Sequence, residues 1–172
     1  MTSVITADII GSRQQSEHWV NNLKKILAPL GNTPSQWEIY RGDEFQIEVT
    51  NPEDALLTAI LIKAQLRAIK SDARMSIGFG DKTHNAERIS ESNGSAFIHS
   101  GELFETLKKQ KVTLALRTGS TDFDEKFNLM LQLALTFMDS WVVQSAEFVG
   151  FAIENSTSSQ EQLAQKPGIN QT

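Results

Sequence analysis

Trp37-Glu38-Ile39-Tyr40-Arg41-Gly42-Asp43-Glu44-Phe45-Gln46-Ile47-Glu48-Val49 is the stretch that decides the fold. Apolar residues recur at every second position on both sides of Arg41-Gly42-Asp43-Glu44, the period of a half-buried strand. A Gly-Asp tip between two such runs predicts a β-hairpin, because glycine lets the backbone reverse without steric cost. A tight turn lifts its side chains clear of the sheet, so Asp43 is expected to project with its carboxylate free. An acid so placed either binds a cation or simply solvates the turn. Glu44 either seconds Asp43 or points the other way, since neighbours in a strand face opposite sides.

Upstream, Ser3-Val4-Ile5-Thr6-Ala7-Asp8-Ile9-Ile10 is mostly apolar and of strand length, the pattern of a strand covered on both faces. Asp8 is its anomaly. Burying an unpaired acid costs several kcal/mol, roughly 2–7 even for a neutral polar group, so Asp8 is solvated, bonded to backbone or set on a cation. From Ser16 to Ala28 the apolar residues fall at helical spacing, with Ser16 as N-cap and Pro29 and Gly31 closing the end.

Downstream, Asn51-Pro52-Glu53-Asp54 predicts a helix start, with Asn51 as the cap and two acids at the positive end of the dipole. That helix is expected to reach about Ile69, with Leu56, Ala59, Ile60 and Ala64 inside and Lys63, Arg67 and Lys70 outside or late. Ala73 to Gly80 alternates as a strand whose glycines admit a close neighbour. A polar loop from Asp81 to Asn93 leads to a helix over Gly94 to Lys109, carried by Phe97, Ile98, Leu103, Phe104 and Leu107, and then to a short strand over Val112 to Leu116.

The order β, α, β-β, α, β, α, β predicts an α+β domain over residues 1–118, a ferredoxin-like mixed sheet with packed helices, extended by a helix and a strand. Residues 119–172 read as a helical segment. Asp122 and Asp124 open a helix carrying Phe123, Phe127, Met130, Leu131, Ala134, Phe137, Met138 and Trp141, and a second follows from Trp141 to Ile153. So long an apolar stripe covers either the domain core or a second copy of the chain. Ser158 and Glu161 form a capping box for a short helix to Gln165.

Composition narrows the function classes. The 172 residues hold no cysteine, which excludes disulfides, thiolate catalysis and thiolate metal sites. No apolar run spans a bilayer and no signal-like start precedes the first strand, so a cytoplasmic protein without membrane contact is expected. Up to Ser120 the chain carries 14 acidic and 14 basic residues; the rest carries 7 and 2, which accounts for the whole net charge of -5. A DNA-gripping segment normally has a basic excess, so no DNA binding is expected of this chain.

Thr6-Ala7-Asp8-Ile9-Ile10-Gly11-Ser12, Arg41-Gly42-Asp43-Glu44-Phe45 and Arg74-Met75-Ser76-Ile77-Gly78-Phe79-Gly80 together resemble the class III nucleotide cyclases and the diguanylate cyclases of the GGDEF type, with Arg41 in place of the first glycine. A resemblance along nearly the whole chain is to the bacterial SatD family. It adds the loop and helix at Ile89 to Gly101, and an ending of helix-turn-helix type at Trp141-Val142-Val143-Gln144-Ser145-Ala146-Glu147 and Gln160-Glu161-Gln162-Leu163-Ala164. Gly168-Ile169-Asn170-Gln171-Thr172 resembles the turn before a recognition helix, and Pro167 stands where such motifs carry an apolar residue, so the motif reads as incomplete.

The resemblance implies a site. Asp8 and Asp43 would clamp Mg²⁺ or Mn²⁺, with the Ile9 carbonyl as a further ligand, because hard cations take oxygen ligands and bridge nucleotide phosphates. Phosphates of a nucleoside triphosphate or dinucleotide would lie over Gly11, Ser12 and Arg13, with Arg41 and Gly42 at the hairpin tip. It also implies a homodimer. The Asn and Arg that such cyclases carry on the following helix fall here on Ile98 and Glu102, which argues for a site that binds without turnover. His99, the one general-base candidate nearby, reads as structural. The resulting expectation is a regulatory protein; the alternatives are an active nucleotidyl cyclase using Asp8 and Asp43, and a dimerisation module without ligand.

Overall fold

The structure is a computed structural model and describes residues 1–12, 18–40 and 42–158. The hairpin forms as its alternation requires: β2 (Trp37–Tyr40) pairs antiparallel with β3 (Glu44–Val49), Tyr40 facing Glu44 across the turn. β1 (Thr2–Ile9) lies between β3 and β4 (Ala73–Gly80), antiparallel to both, and β5 (Leu114–Arg117) adds parallel to β4. The five-stranded order is β2-β3-β1-β4-β5. With α1 (His18–Leu27), α2 (Ala55–Ala68), α3 (Ser95–Gln110), α4 (Thr121–Met138) and α5 (Val143–Glu154), this is an α+β fold on a mixed sheet.

Because successive strand residues point to opposite faces, the register sorts the side chains. Ile5, Ala7, Ile9, Phe45, Ile47, Met75, Ile77, Leu114 and Leu116 share one face and are buried there. Leu23 and Leu27 of α1, Ala59, Ile62 and Leu66 of α2, and Leu131, Leu135 and Met138 of α4 join them in one core. α4, which follows β5, therefore completes the core of the sheet, and α5 packs on α2. The other face is crossed by α3. Gly78 permits that approach, since a Cβ there would run into the backbone of Ala96 and Ser100.

Several local expectations change. Asn51 does not cap α2: its amide donates to Asp54 Oδ2 at 2.8 Å, Pro52–Asp54 form a 3-10 turn, and α2 begins at Ala55. Lys63, expected outside, is fully buried, because its ammonium meets Asp72 at 2.9 Å and Asp139 at 2.7 Å. Ile98 is half exposed rather than part of the core, and the last strand begins two residues after Val112. The stripe on α4 divides, with Leu131, Leu135 and Met138 inside and Phe123, Met130 and Phe137 outside. The Ser16 cap and the Ser158–Glu161 capping box rest on residues outside the described ones. Among the described residues no helix is long and apolar enough to cross a membrane.

Candidate functional site

The polar face of the sheet ends in a charged row. Tyr40, Glu44, Asp8 and Arg74 face one another in register across β2, β3, β1 and β4. Arg74 Nη1 donates to Asp8 Oδ1 at 3.3 Å and to Oδ2 at 3.2 Å. Lys108, in the last turn of α3, donates from Nζ to Glu44 Oε1 at 2.9 Å and lies over the Phe104 ring. Two adjacent acids, Glu44 and Asp8, are thus flanked by two bases, Lys108 and Arg74, on a partly buried surface.

Their charges are not comfortable there. Burial pushes the Asp8 carboxyl above its ordinary value; Arg74 and Lys108 oppose the shift, and the negative charges of Asp43 and Glu44 reinforce it. For Lys108 burial works against the charged form, yet the hydrogen bond and charge of Glu44, with Glu105 and Asp8, outweigh it and raise the ammonium's pKa. A further positive ion near Asp8 would relieve what burial and the neighbouring acids impose.

Asp43 stands at the same end of the sheet, one residue before β3. The Ile9 N–H donates to the Asp43 carbonyl at 3.0 Å, which ties the end of β1 to the hairpin tip. Ser12 Oγ donates to Asp43 Oδ2 at 2.5 Å, joining the turn after β1 to the same acid. Gly42 has φ +84°, a left-handed turn position that glycine fills without strain. A Cβ at Gly11 or Gly42 would meet nothing within 4 Å, so both turns are open to an incoming group.

Of the residues expected from sequence, Asp8, Ile9, Gly11, Ser12, Gly42 and Asp43 come together at this end of the sheet; Arg13 and Arg41 lie outside the described residues. Among the described residues, no group of three His, Asp or Glu side chains is arranged to hold a metal ion. Asp8 and Asp43 would offer a cation two carboxylates, the number Mg²⁺ uses when phosphates and water complete its shell. Sequence reasoning missed Arg74 and Lys108 and left Glu44 open. The alternation Arg74-Met75-Ser76-Ile77-Gly78 carried the signal, because every second residue there is unfit for an apolar core.

Beside the charged row lies an open cavity of about 430 Å³ under α3, with Thr6, Tyr40, Glu44, Gln46, Ser90 and Phe104 among its lining. Two hydrogen bonds fix its floor: Gln46 Nε2 donates to Thr6 Oγ1 at 3.1 Å, and Thr6 and Ser100 share a hydroxyl bond of 3.0 Å. His99 donates from Nδ1 to the Phe79 carbonyl at 2.7 Å, a bond that fixes α3 to β4. Glu102 is ion-paired with Arg117 at 2.8 Å on the exposed side of α3. A groove of about 540 Å³ between α1, α2 and α5 contains none of the expected site residues.

The helical end is docked rather than free. Arg67 Nη2 donates to the Trp141 carbonyl at 2.8 Å, Gly150 of α5 lies against Ala64 and Gln65 of α2, and Gln65 Nε2 donates to Glu154 at 2.6 Å. Gln160–Ala164, Pro167 and Gly168–Thr172 lie outside the described residues. No protein-family model matches the chain, and no curated protein is significantly similar to it.

Proposed function

We propose that this chain is a regulatory ligand-binding protein of SatD type. Its cyclase-like sheet takes Mg²⁺ or Mn²⁺ together with the phosphates of a nucleotide, at the end of β1 and the β2–β3 turn, and does not turn the nucleotide over. The observation that carries the reading is the strand-end cluster in which the half-buried Asp8 carboxyl, its pKa raised by burial and by Asp43 and Glu44, sits beside two open glycine turns. The ion would rest between Asp8 and Asp43, with the Ile9 carbonyl beside them, and the phosphates would cover Gly11 and Ser12. A base has room in the adjacent cavity, where Tyr40 and Phe104 offer flat apolar surface. Ile98 and Glu102, where a cyclase would need Asn and Arg, support binding without catalysis.

The test is thermal denaturation and calorimetry with Mg²⁺ or Mn²⁺ in the presence of ATP, GTP or a cyclic dinucleotide. The expected result is a rise in Tm with metal and at least one of the nucleotides, abolished by Asp8→Ala with Asp43→Ala, and no pyrophosphate release. Sustained pyrophosphate release that depends on Asp8 and Asp43 would move the assignment to an active cyclase. No response to any metal–nucleotide pair sinks the binding reading and favours a structural one, in which Arg74 and Lys108 permanently neutralise the acids.

A further inference from the structure

α4 turns Leu131, Leu135 and Met138 into the core, yet its opposite side is also apolar. Phe123, Met130, Leu133 and Phe137 are 47%, 66%, 67% and 69% exposed, and Phe127, half buried, stacks on Phe123 with ring centroids 5.4 Å apart. These five positions are spaced by four, three, three and four residues, a sequence that reads the same in both directions from Met130; Leu129, 68% exposed, flanks them, and Phe127 also touches the core. A helix face with that symmetry is complementary to itself under a two-fold axis. Placed antiparallel on a copy, Met130 meets its own equivalent, Phe123 meets Phe137 of the second copy, and Phe127 stands level with Leu133 of the second copy.

Charge selects the same orientation. The first turns of α4 carry Asp122, Asp124 and Glu125 against the single Lys126, which pairs with Asp122 at 2.8 Å, and so keep a net negative charge, whereas Leu129 to Met138 carry no charge. A parallel pair would set the acidic turns against each other. An antiparallel pair sets each against the uncharged half of its partner. The size is adequate: four side chains of roughly 200 Å² each, mostly exposed, offer about 500 Å² per copy, near the 1,000 Å² total that a specific interface needs before its rim is counted.

We propose that the exposed face of α4 is the contact between two copies of this chain, arranged antiparallel about a two-fold axis at Met130. α4 packs against β5, at the sheet edge opposite the β2–β3 hairpin. The dimer therefore leaves the charged row and its cavity open in both copies, unlike a pair that builds its site at the interface.

Sedimentation of the full chain at micromolar concentration is expected to give a dimer. Met130→Glu, which opposes like charges on the axis, should weaken association on the order of 100-fold, with the melting transition of the monomer preserved because Met130 is exposed. The chain has no cysteine, so Met130→Cys supplies its sole thiol and should form a disulfide-linked dimer under mild oxidation. Orientation is read from Phe123→Lys and Phe137→Glu: each alone weakens the dimer, and both in one chain restore it, since Lys then faces Glu only in the antiparallel pair. A monomer throughout, a dimer indifferent to Met130→Glu, or a double variant no tighter than the singles overturns the proposal.

Discussion

On one face of the sheet Ile5, Ile47 and Ile77 lie side by side under helices; one residue further along each strand, Thr6, Gln46 and Ser76 lie side by side on the other. The first row is sealed by dispersion and loss of water contact, and needs no orientation. The second is held by directed bonds, Gln46 to Thr6, Thr6 to Ser100, and Ser76 to the Ser100 carbonyl at 2.7 Å. Directed bonds fix side chains but add only about 1 kcal/mol each over bonding to water. The same three strands thus carry the larger apolar core on one face, and on the other a small cluster at Val4, Ile89, Ala96 and Phe97 together with their candidate chemistry.

The largest effect should come from the apolar face. Phe45→Ala removes a fully buried ring and is expected to cost about 3–5 kcal/mol in urea denaturation, whereas Gln46→Ala, its neighbour on the other face, should cost about 1. Equal losses at the two positions would mean that the faces are not divided as described.

Next comes an ammonium sunk in the apolar layer. Lys63 reaches from α2 to Asp72, just before β4, and to Asp139, just after α4. Lys63→Met leaves both acids without their partner, and breaking a buried pair costs about 3–5 kcal/mol. Asp139 is partly open to water, so the loss should fall at the lower end of that range. Lys63→Met combined with Asp72→Asn and Asp139→Asn should recover part of it; a triple variant no more stable than the single would show that the ammonium's packing, not its charge, is what matters.

These two cases also mark what a single sequence can reveal. β2, β3 and β4 were legible because a period of two needs only neighbouring residues, and β1 because it is an apolar run of strand length. The charged row was legible only in part. Asp8 and Asp43 stand out as acids beside apolar runs, but their setting depends on register: Arg74 reaches Asp8 across 66 residues and Lys108 reaches Glu44 across 64. Lys63 failed for the same reason, since a lysine among apolar helix residues reads as solvated until its distant acids are brought to it. The outward face of α4 was legible as apolar but not as exposed, because the helical period does not say which of two apolar stripes the sheet takes.

A smaller effect separates the faces by pH. The folded-state pKa of Asp8 is raised above its unfolded value of 3.8, so the folded protein holds that proton more tightly than the unfolded chain. The group's contribution to stability is then fully present below 3.8 and lost as pH rises through the raised value. Relative to Asp8→Asn, which does not titrate, wild type should lose stability as pH rises across this window, and the difference should level off above it. A flat difference across the window would show that burial does not oppose the Asp8 charge. The same comparison at Phe45→Ala should be independent of pH, because no titrating group changes.

The smallest effect tests whether the row behaves as one electrostatic unit. Lys108 and Arg74 hold the Asp8 pKa down against burial, while Asp43 and Glu44 push it up. In a carboxyl NMR titration Lys108→Gln should therefore raise the Asp8 pKa further, and Asp43→Asn should lower it, although neither residue is hydrogen-bonded to Asp8. Shifts of opposite sign would establish that the charges from β1, the hairpin tip and α3 act on one point in space. A divalent cation arriving with a nucleotide acts on that same point in the direction of Lys108, so it should lower the Asp8 pKa and bind more tightly as pH rises through the raised value. Absence of any change at Asp8 in both variants would separate Asp43 from Asp8 electrostatically and leave no shared place for an ion.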